Sequence, residues 1–216
     1  MAGPISHIVY AKKYFEKNPS NINKDEFILG CSFPDIRRIS DGIKRQDTHF
    51  PSEDLVDLKI NGKANSLNLD FTGLTPFHAG WKFHLYCDMK REEILKEADF
   101  YSLDNTADFW SVPSKFLEDE LLYHEYNNWE KIYLYFNHAP WIKPLPNVSR
   151  ETFELWYAIL AKYLEEKPKE KSIHAYLTKQ LFLKDKADKI IESLAKIRKN
   201  IKAAEILKTV PEKIIN

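Results

Sequence analysis

The chain has 216 residues, of which 44% are hydrophobic and 30% charged. That balance excludes a low-complexity or disordered chain and supplies a core for one domain or two small ones. Lys+Arg and Asp+Glu stand at 32 each, so no global field selects nucleic acid or a membrane surface. No run of about eighteen apolar residues predicts a transmembrane helix.

Glycine is scarce, at six residues, while Lys, Glu and Leu are plentiful, which points to an all-α fold. The charge is unevenly spread: residues 161–216 hold 14 basic and 8 acidic side chains. A lysine-rich helix face in solvent explains this most simply, and a surface-binding tail is the alternative. Cys31 and Cys87 have neither zinc-knuckle nor redox spacing and read as buried free thiols in a reducing compartment. The opening "MAGPISHIVYAKKYF" lacks the basic and apolar regions of a signal peptide. The expectation is a cytoplasmic protein.

In chain order, "ISHIVYAKKYFEKN" predicts the first helix, with Ile5, Ile8, Val9 and Phe15 on one arc and His7 at its edge. "DEFILGCSF" predicts a short apolar helix, with Asp25 as its N-cap and a stop at Pro34. Residues 36–76 read as a long irregular connection. The strongest helix is expected over 76–99, with Pro76 in its first turn. Phe77, Trp81, His84 and Asp88 fall on one stripe of that helix, and Gly80 would admit a second backbone. Further helices are predicted over 113–137, 149–166 and 171–183. "KIYLYF" is ambiguous between helix and strand. A last amphipathic helix over about 185–213 carries Ile190, Leu194, Ile197 and Ile201 on its apolar side. One domain is expected over 1–216, a single compact helical bundle.

Five residues in the first 88 combine ligand chemistry with apolar settings: His7, Asp35 in "GCSFPDIRR", His49 in "DTHF", and His84 with Asp88 in "FHLYCD". Imidazole and carboxylate suit zinc and related divalent ions, and a His/Asp pair at i, i+4 can reach one ion together. Each has a structural alternative. A lone histidine is commonly a hydrogen-bonded core group, Asp35 could cap a turn, and Asp88 could pair with Lys82 or Arg91. His78, His124, His138 and His174 are left at that structural reading. What distinguishes the five is that an ionised carboxylate buried on an apolar stripe needs a cation.

In that order, His7, "GCSFPD", "TH" and "HLYCD" resemble the zinc-dependent phospholipase C family over about residues 3–90. The resemblance implies a compact all-α bundle, like that of the fungal single-strand nucleases, with the metal site between helices in the half formed by 1–100. It implies that Asp35, His49, His84 and Asp88 hold one ion, and that His7 and a bridging Asp88 serve a second. The ion is expected to be zinc, with iron or manganese as alternatives. Asp35 would then be the catalytic residue that orients or deprotonates water. The chain departs from the family in lacking an N-terminal tryptophan and the later histidine and H-x-x-x-E pair of a third site. One or two ions are therefore expected.

The function implied is a metal-dependent phosphoesterase or phosphodiesterase acting on a phosphate-ester small molecule or a phospholipid. Arg37, Arg38, Lys44 and Arg45 lie between two expected ligands, where guanidinium groups could grip a phosphate, or could simply line a solvated loop. Trp110, Trp129, Tyr133, Tyr135, Phe136 and Trp141 either wall a pocket over the site or pack a core. The other class of function is a non-catalytic helical protein with a structural ion or a partner-binding role. The half 101–216 carries no motif that names a substrate.

Overall fold

A computed structural model describes residues 2–49 and 69–216. Among these residues there is no strand, and the fold is all-α. No helix among them is long and apolar enough to cross a membrane. Helix α1 (Pro4–Lys17) starts with Pro4 in its first turn and buries Ile5, Ile8, Val9 and Phe15 together with His7. Helix α2 (Lys24–Ser32) is capped by Asn23, whose side chain accepts the amides of Asp25 and Glu26. The expected cap, Asp25, is two residues too late, because the helix already begins at Lys24.

Helix α4 (Pro76–Glu97) has Thr75 as N-cap and Pro76 at its start. It packs on α2 more extensively than any other pair of helices does. The reason is a reciprocal close crossing. A Cβ on Gly30 would lie 1.9 Å from the Phe77 carbonyl oxygen, and one on Gly80 would lie 1.9 Å from the Phe27 carbonyl oxygen. No side chain fits at either position, so two glycines set the separation of the helices that flank the site.

The C-terminal carbonyls of α2 have no partner within the helix. Side chains supply them: Tyr157 Oη donates to Leu29 O, Trp156 Nε1 to Ser32 O and His84 Nδ1 to Cys31 O. A 3-10 turn over Pro34–Arg38 follows, and α3 (Arg45–His49) is tied down by Trp81 Nε1, which donates to Thr48 O. The connection expected over 36–76 therefore has helical order at its start, and residues 50–68 of it lie outside the described residues.

The predicted helix over 113–137 is two, α5 (Asp108–Leu122) and α6 (Trp129–Asn137), because Asn128 starts a new cap. "KIYLYF" is helical within α6. Helix α7 (Arg150–Leu164) pairs with α6, and α8 (Glu170–Thr178) with α9 (Ala187–Ile197). The single helix expected over 185–213 is also split, with Asn200 capping α10 (Ile201–Ile215). Helix α9 packs on α5, while α10 packs on α1, α4 and α5. Ile201 is 74% exposed, whereas Leu207, Val210 and Ile214 are buried. The apolar face of the tail thus belongs to the core. Cys31 and Cys87 are buried and free.

Candidate metal centre

His7 from α1, His49 from the end of α3, and His84 with Asp88 from α4 meet at one point between the helices. All four are buried, with Asp88 the most exposed at 9%. His7 Nε2 lies 3.3 Å from Asp88 Oδ1, His84 Nε2 lies 3.5 Å from Asp88 Oδ2, and His49 Nε2 lies 4.0 Å from the same oxygen. The His7 and His84 rings stack with centroids 3.8 Å apart.

The hydrogen bond from His84 Nδ1 to the Cys31 carbonyl, at 2.7 Å, places a proton on Nδ1. In the neutral ring the lone pair then sits on Nε2, which faces a carboxylate oxygen. Two electron-rich atoms so placed repel unless a proton or a metal cation lies between them. His84 Nε2, His49 Nε2 and both ring nitrogens of His7 make no hydrogen bond of good geometry among the described residues. Buried polar atoms are nearly always satisfied, so three imidazoles open toward one carboxylate need an explanation.

A divalent ion supplies one. Ligand atoms of His7, His84 and Asp88 all lie within 4.8 Å of one another. Tetrahedral zinc bound at its usual length sets neighbouring ligands about 3.3 Å apart, close to the spacing here. Burial, helped by the neighbouring His84, lowers His7 to about 4, and the same causes lower His49 to about 3. Both are neutral at pH 7, the form that binds metal. Burial opposes ionisation of Asp88, but the charge of the α-amino group first, and His84 and His7 after it, outweigh it and hold the carboxyl well below its usual range. The supporting shell is also built: the Ala2 amide donates to Asp88 Oδ1 at 2.7 Å, and the Cys31 carbonyl orients His84.

Asp35 is placed differently. Arg38 Nε lies 2.8 Å from its Oδ1, and Arg37 Nη2 lies 3.8 Å from that atom. Burial resists the charge on Asp35, but Arg38, His84 and His49 together drive its pKa far down. It is an ion-paired neighbour of the cluster, outside the tight group of three. Arg38 also donates to Gln180 and is half-enclosed. Arg37 is partly buried beside Asp35, and Arg45 and Lys44 are exposed. Three of the four histidines outside the cluster have ordinary hydrogen-bond partners: His78 meets the Thr75 hydroxyl, His138 the Leu134 carbonyl and His174 the carboxylate of Asp188, while His124 lies edge-on to the Tyr123 ring.

The aromatic residues divide. Trp129 is buried against Tyr123 and Tyr126, Phe136 is buried against Tyr157 of α7, and Trp141 packs on Phe153. Trp110 is 74% exposed. Sequence reasoning passed over a second buried polar group, on the next turn of α4. Arg91 Nε donates to Glu118 Oε2 at 2.6 Å, and the Tyr10 hydroxyl donates to Glu118. Asp119 accepts from the Ser6 amide, the Ser6 hydroxyl and the Tyr163 hydroxyl. In "KFLEDELL" two of the acids, Glu118 and Asp119, are buried acceptors of hydroxyl, amide and guanidinium groups, which the sequence of a single helix does not announce.

Comparison of the chain with protein-family models, with curated proteins and with solved structures returns no match.

Proposed function

We propose that the chain is a metal-dependent hydrolase of phosphoric esters, with a divalent ion held by His7, His84 and Asp88 and by His49 at the edge of the group. One observation carries this reading: three buried imidazoles, with nitrogens that lack good hydrogen bonds, converge on a single buried carboxylate. The mixed His/carboxylate set is that of a reactive centre more than of a structural one, since structural zinc sites are typically thiolate-rich. The ordered motifs from His7 to Asp88 that resemble the zinc-dependent phospholipase C family point the same way. Zinc is the ion favoured, with iron or manganese as alternatives.

Such an ion lowers the pKa of bound water to about 7 and polarises a phosphoryl oxygen. The residues do the rest. Asp88 brings the negative charge that balances the cation, and the Cys31 carbonyl keeps His84 in the metal-binding tautomer. Asp35 stays ionised beside Arg38, so its role is to accept a hydrogen bond from water and orient it. An acid held that far down is a weak base.

The test is hydrolysis of bis-p-nitrophenyl phosphate by metal-loaded protein. Turnover that chelation abolishes and zinc or manganese restores is the expected result, with His84→Ala inert. A metal-loaded protein without turnover on this or other phosphate esters would contradict the reading. The burial of every ligand, at 9% exposure or less, favours a second reading in that event: an ion that staples α1 to α4 without catalysis.

A further inference from the structure

Beside the centre lies a cavity of about 330 Å³, lined by Arg91, Glu92, Tyr101, Trp110, Ser111 and Lys115. Arg91 follows Asp88 by three residues on α4, a rise of about 4.5 Å. Lys115, on α5, feels the carboxylates of both Asp35 and Asp88. The cavity therefore lies about one turn of α4 from Asp88, and its wall carries two basic side chains.

Three features of that wall are unexplained by packing. Arg91 is 1% exposed, and its Nη2 has no hydrogen-bond partner among the described residues although Nε is held by Glu118. Lys115 is 6% exposed and makes no hydrogen bond or ion pair among the described residues. Burial, with Arg38 and Arg91 adding to it, lowers its amine to about 7. A buried guanidinium nitrogen without a partner is costly, and an anion meeting it beside an amine that no protein group engages would relieve that cost.

The third feature is strain. Phe109, Trp110 and Ser111 have φ of 48°, 57° and 60°, three consecutive non-glycine residues in the left-handed region. Each costs on the order of 1–2 kcal/mol. Such strain persists where its surroundings enforce it, and it gathers at binding sites. Here the reversed turn places Ser111 on the cavity wall and turns Trp110 outward beside it, with Lys186 Nζ 4.5 Å from the indole centre. Right-handed helix resumes after Ser111, so the positive end of α5 also abuts the cavity. Glu92 is the one acid on this wall, and it already accepts the Tyr101 hydroxyl at 2.7 Å.

We propose that this cavity binds a phosphate-type oxyanion through Lys115, Arg91 Nη2 and Ser111, and that it seats a charged group of the ester whose cleavage the neighbouring centre performs. The second half of that statement rests on the function proposed above. The first half stands on the cavity alone.

The test is a calorimetric titration of the full chain with inorganic phosphate, before and after chelation, for wild type, Lys115→Met and Lys115→Gln. Lys115→Gln keeps a neutral donor should Met disturb folding. Wild type is expected to bind phosphate after chelation, and both variants to bind it about tenfold more weakly or worse. Binding that vanishes on chelation, or that is equal in all three proteins, overturns the proposal. Metal content of the same samples separates the two readings. Lys115-dependent binding in a protein that takes up no metal overturns the hydrolase and leaves the oxyanion site. Metal uptake without Lys115 dependence does the reverse.

Discussion

Two buried polar clusters sit on successive turns of α4, and they are built on opposite terms. Around Glu118 and Asp119 the acceptors find donors within the protein: Arg91, Tyr10, Ser6 and Tyr163. Around Asp88 the histidines turn lone pairs or uncommitted nitrogens toward a carboxylate. In the first cluster both carboxylates are satisfied, Arg91 Nη2 alone among its side-chain atoms being left over among the described residues, and it joins α1, α4, α5 and α7. In the second, imidazole nitrogens lack hydrogen bonds among the described residues, and the proposed ion would meet them. Burial and charge are similar in the two, so satisfaction of the polar atoms separates scaffold from site.

The comparison breaks most sharply at Arg91. Arg91→Met leaves Glu118 charged and buried, and unfolding in urea is expected to show a loss of about 3–5 kcal/mol. The double variant Arg91→Met with Glu118→Met removes both charges and is expected to recover most of it. A single variant of wild-type stability would mean that the network holds nothing together.

Next comes pH. Burial raises the Asp119 carboxyl from 3.8 to about 7. The native state then holds a proton between pH 4 and 7 that the unfolded chain has released, so this group's contribution falls as pH rises through that window. His7 and His49 act oppositely, but they are common to wild type and variant and cancel in the difference. Asp119→Asn is expected to gain stability relative to wild type as pH rises from 4 to 7, in chelator-treated samples followed by thermal or urea melts. A flat difference contradicts the assignment.

The smallest effect is at Ser6. Ser6→Ala removes one of the hydrogen bonds to Asp119 while the backbone amide keeps its own, and should cost about 1–2 kcal/mol in the same urea assay. A neutral substitution would show that the hydroxyl is replaceable by the remaining donors.

Much of the metal-site half was legible because its signals are local. Pro76, the stripe from Phe77 to Asp88 and the open position at Gly80 all follow from helical period and side-chain size, and α4 has them where expected. His84 and Asp88 share a face by spacing alone. That His7 would arrive there from α1 depends on the α1–α4 packing, which no local pattern encodes; the motif order suggested it. Other features were hidden for tertiary reasons. Lys115, Glu118 and Asp119 carry charges that mark solvent in a lone helix, and only partners from α1, α4 and α7 make them internal. The Phe109–Ser111 turn contains no glycine to announce it. The tail read as one helix because its apolar period runs across the break at Asn200, and capping, not hydropathy, ends α9 and begins α10. Asp35 looked like a free ligand because arginines at 37 and 38 suggested substrate contacts, whereas Arg38 folds back onto Asp35 itself.

The most direct test of the account is the metal content of the purified, untagged chain, wild type beside His84→Ala. The account predicts roughly one to two equivalents of zinc, iron or manganese in wild type and a loss of that metal in the variant, since three imidazoles and a carboxylate define the set. A wild-type protein that holds no metal after reconstitution would contradict it. The cluster around Asp88 would then be a hydrogen-bond network like its neighbour on the next turn.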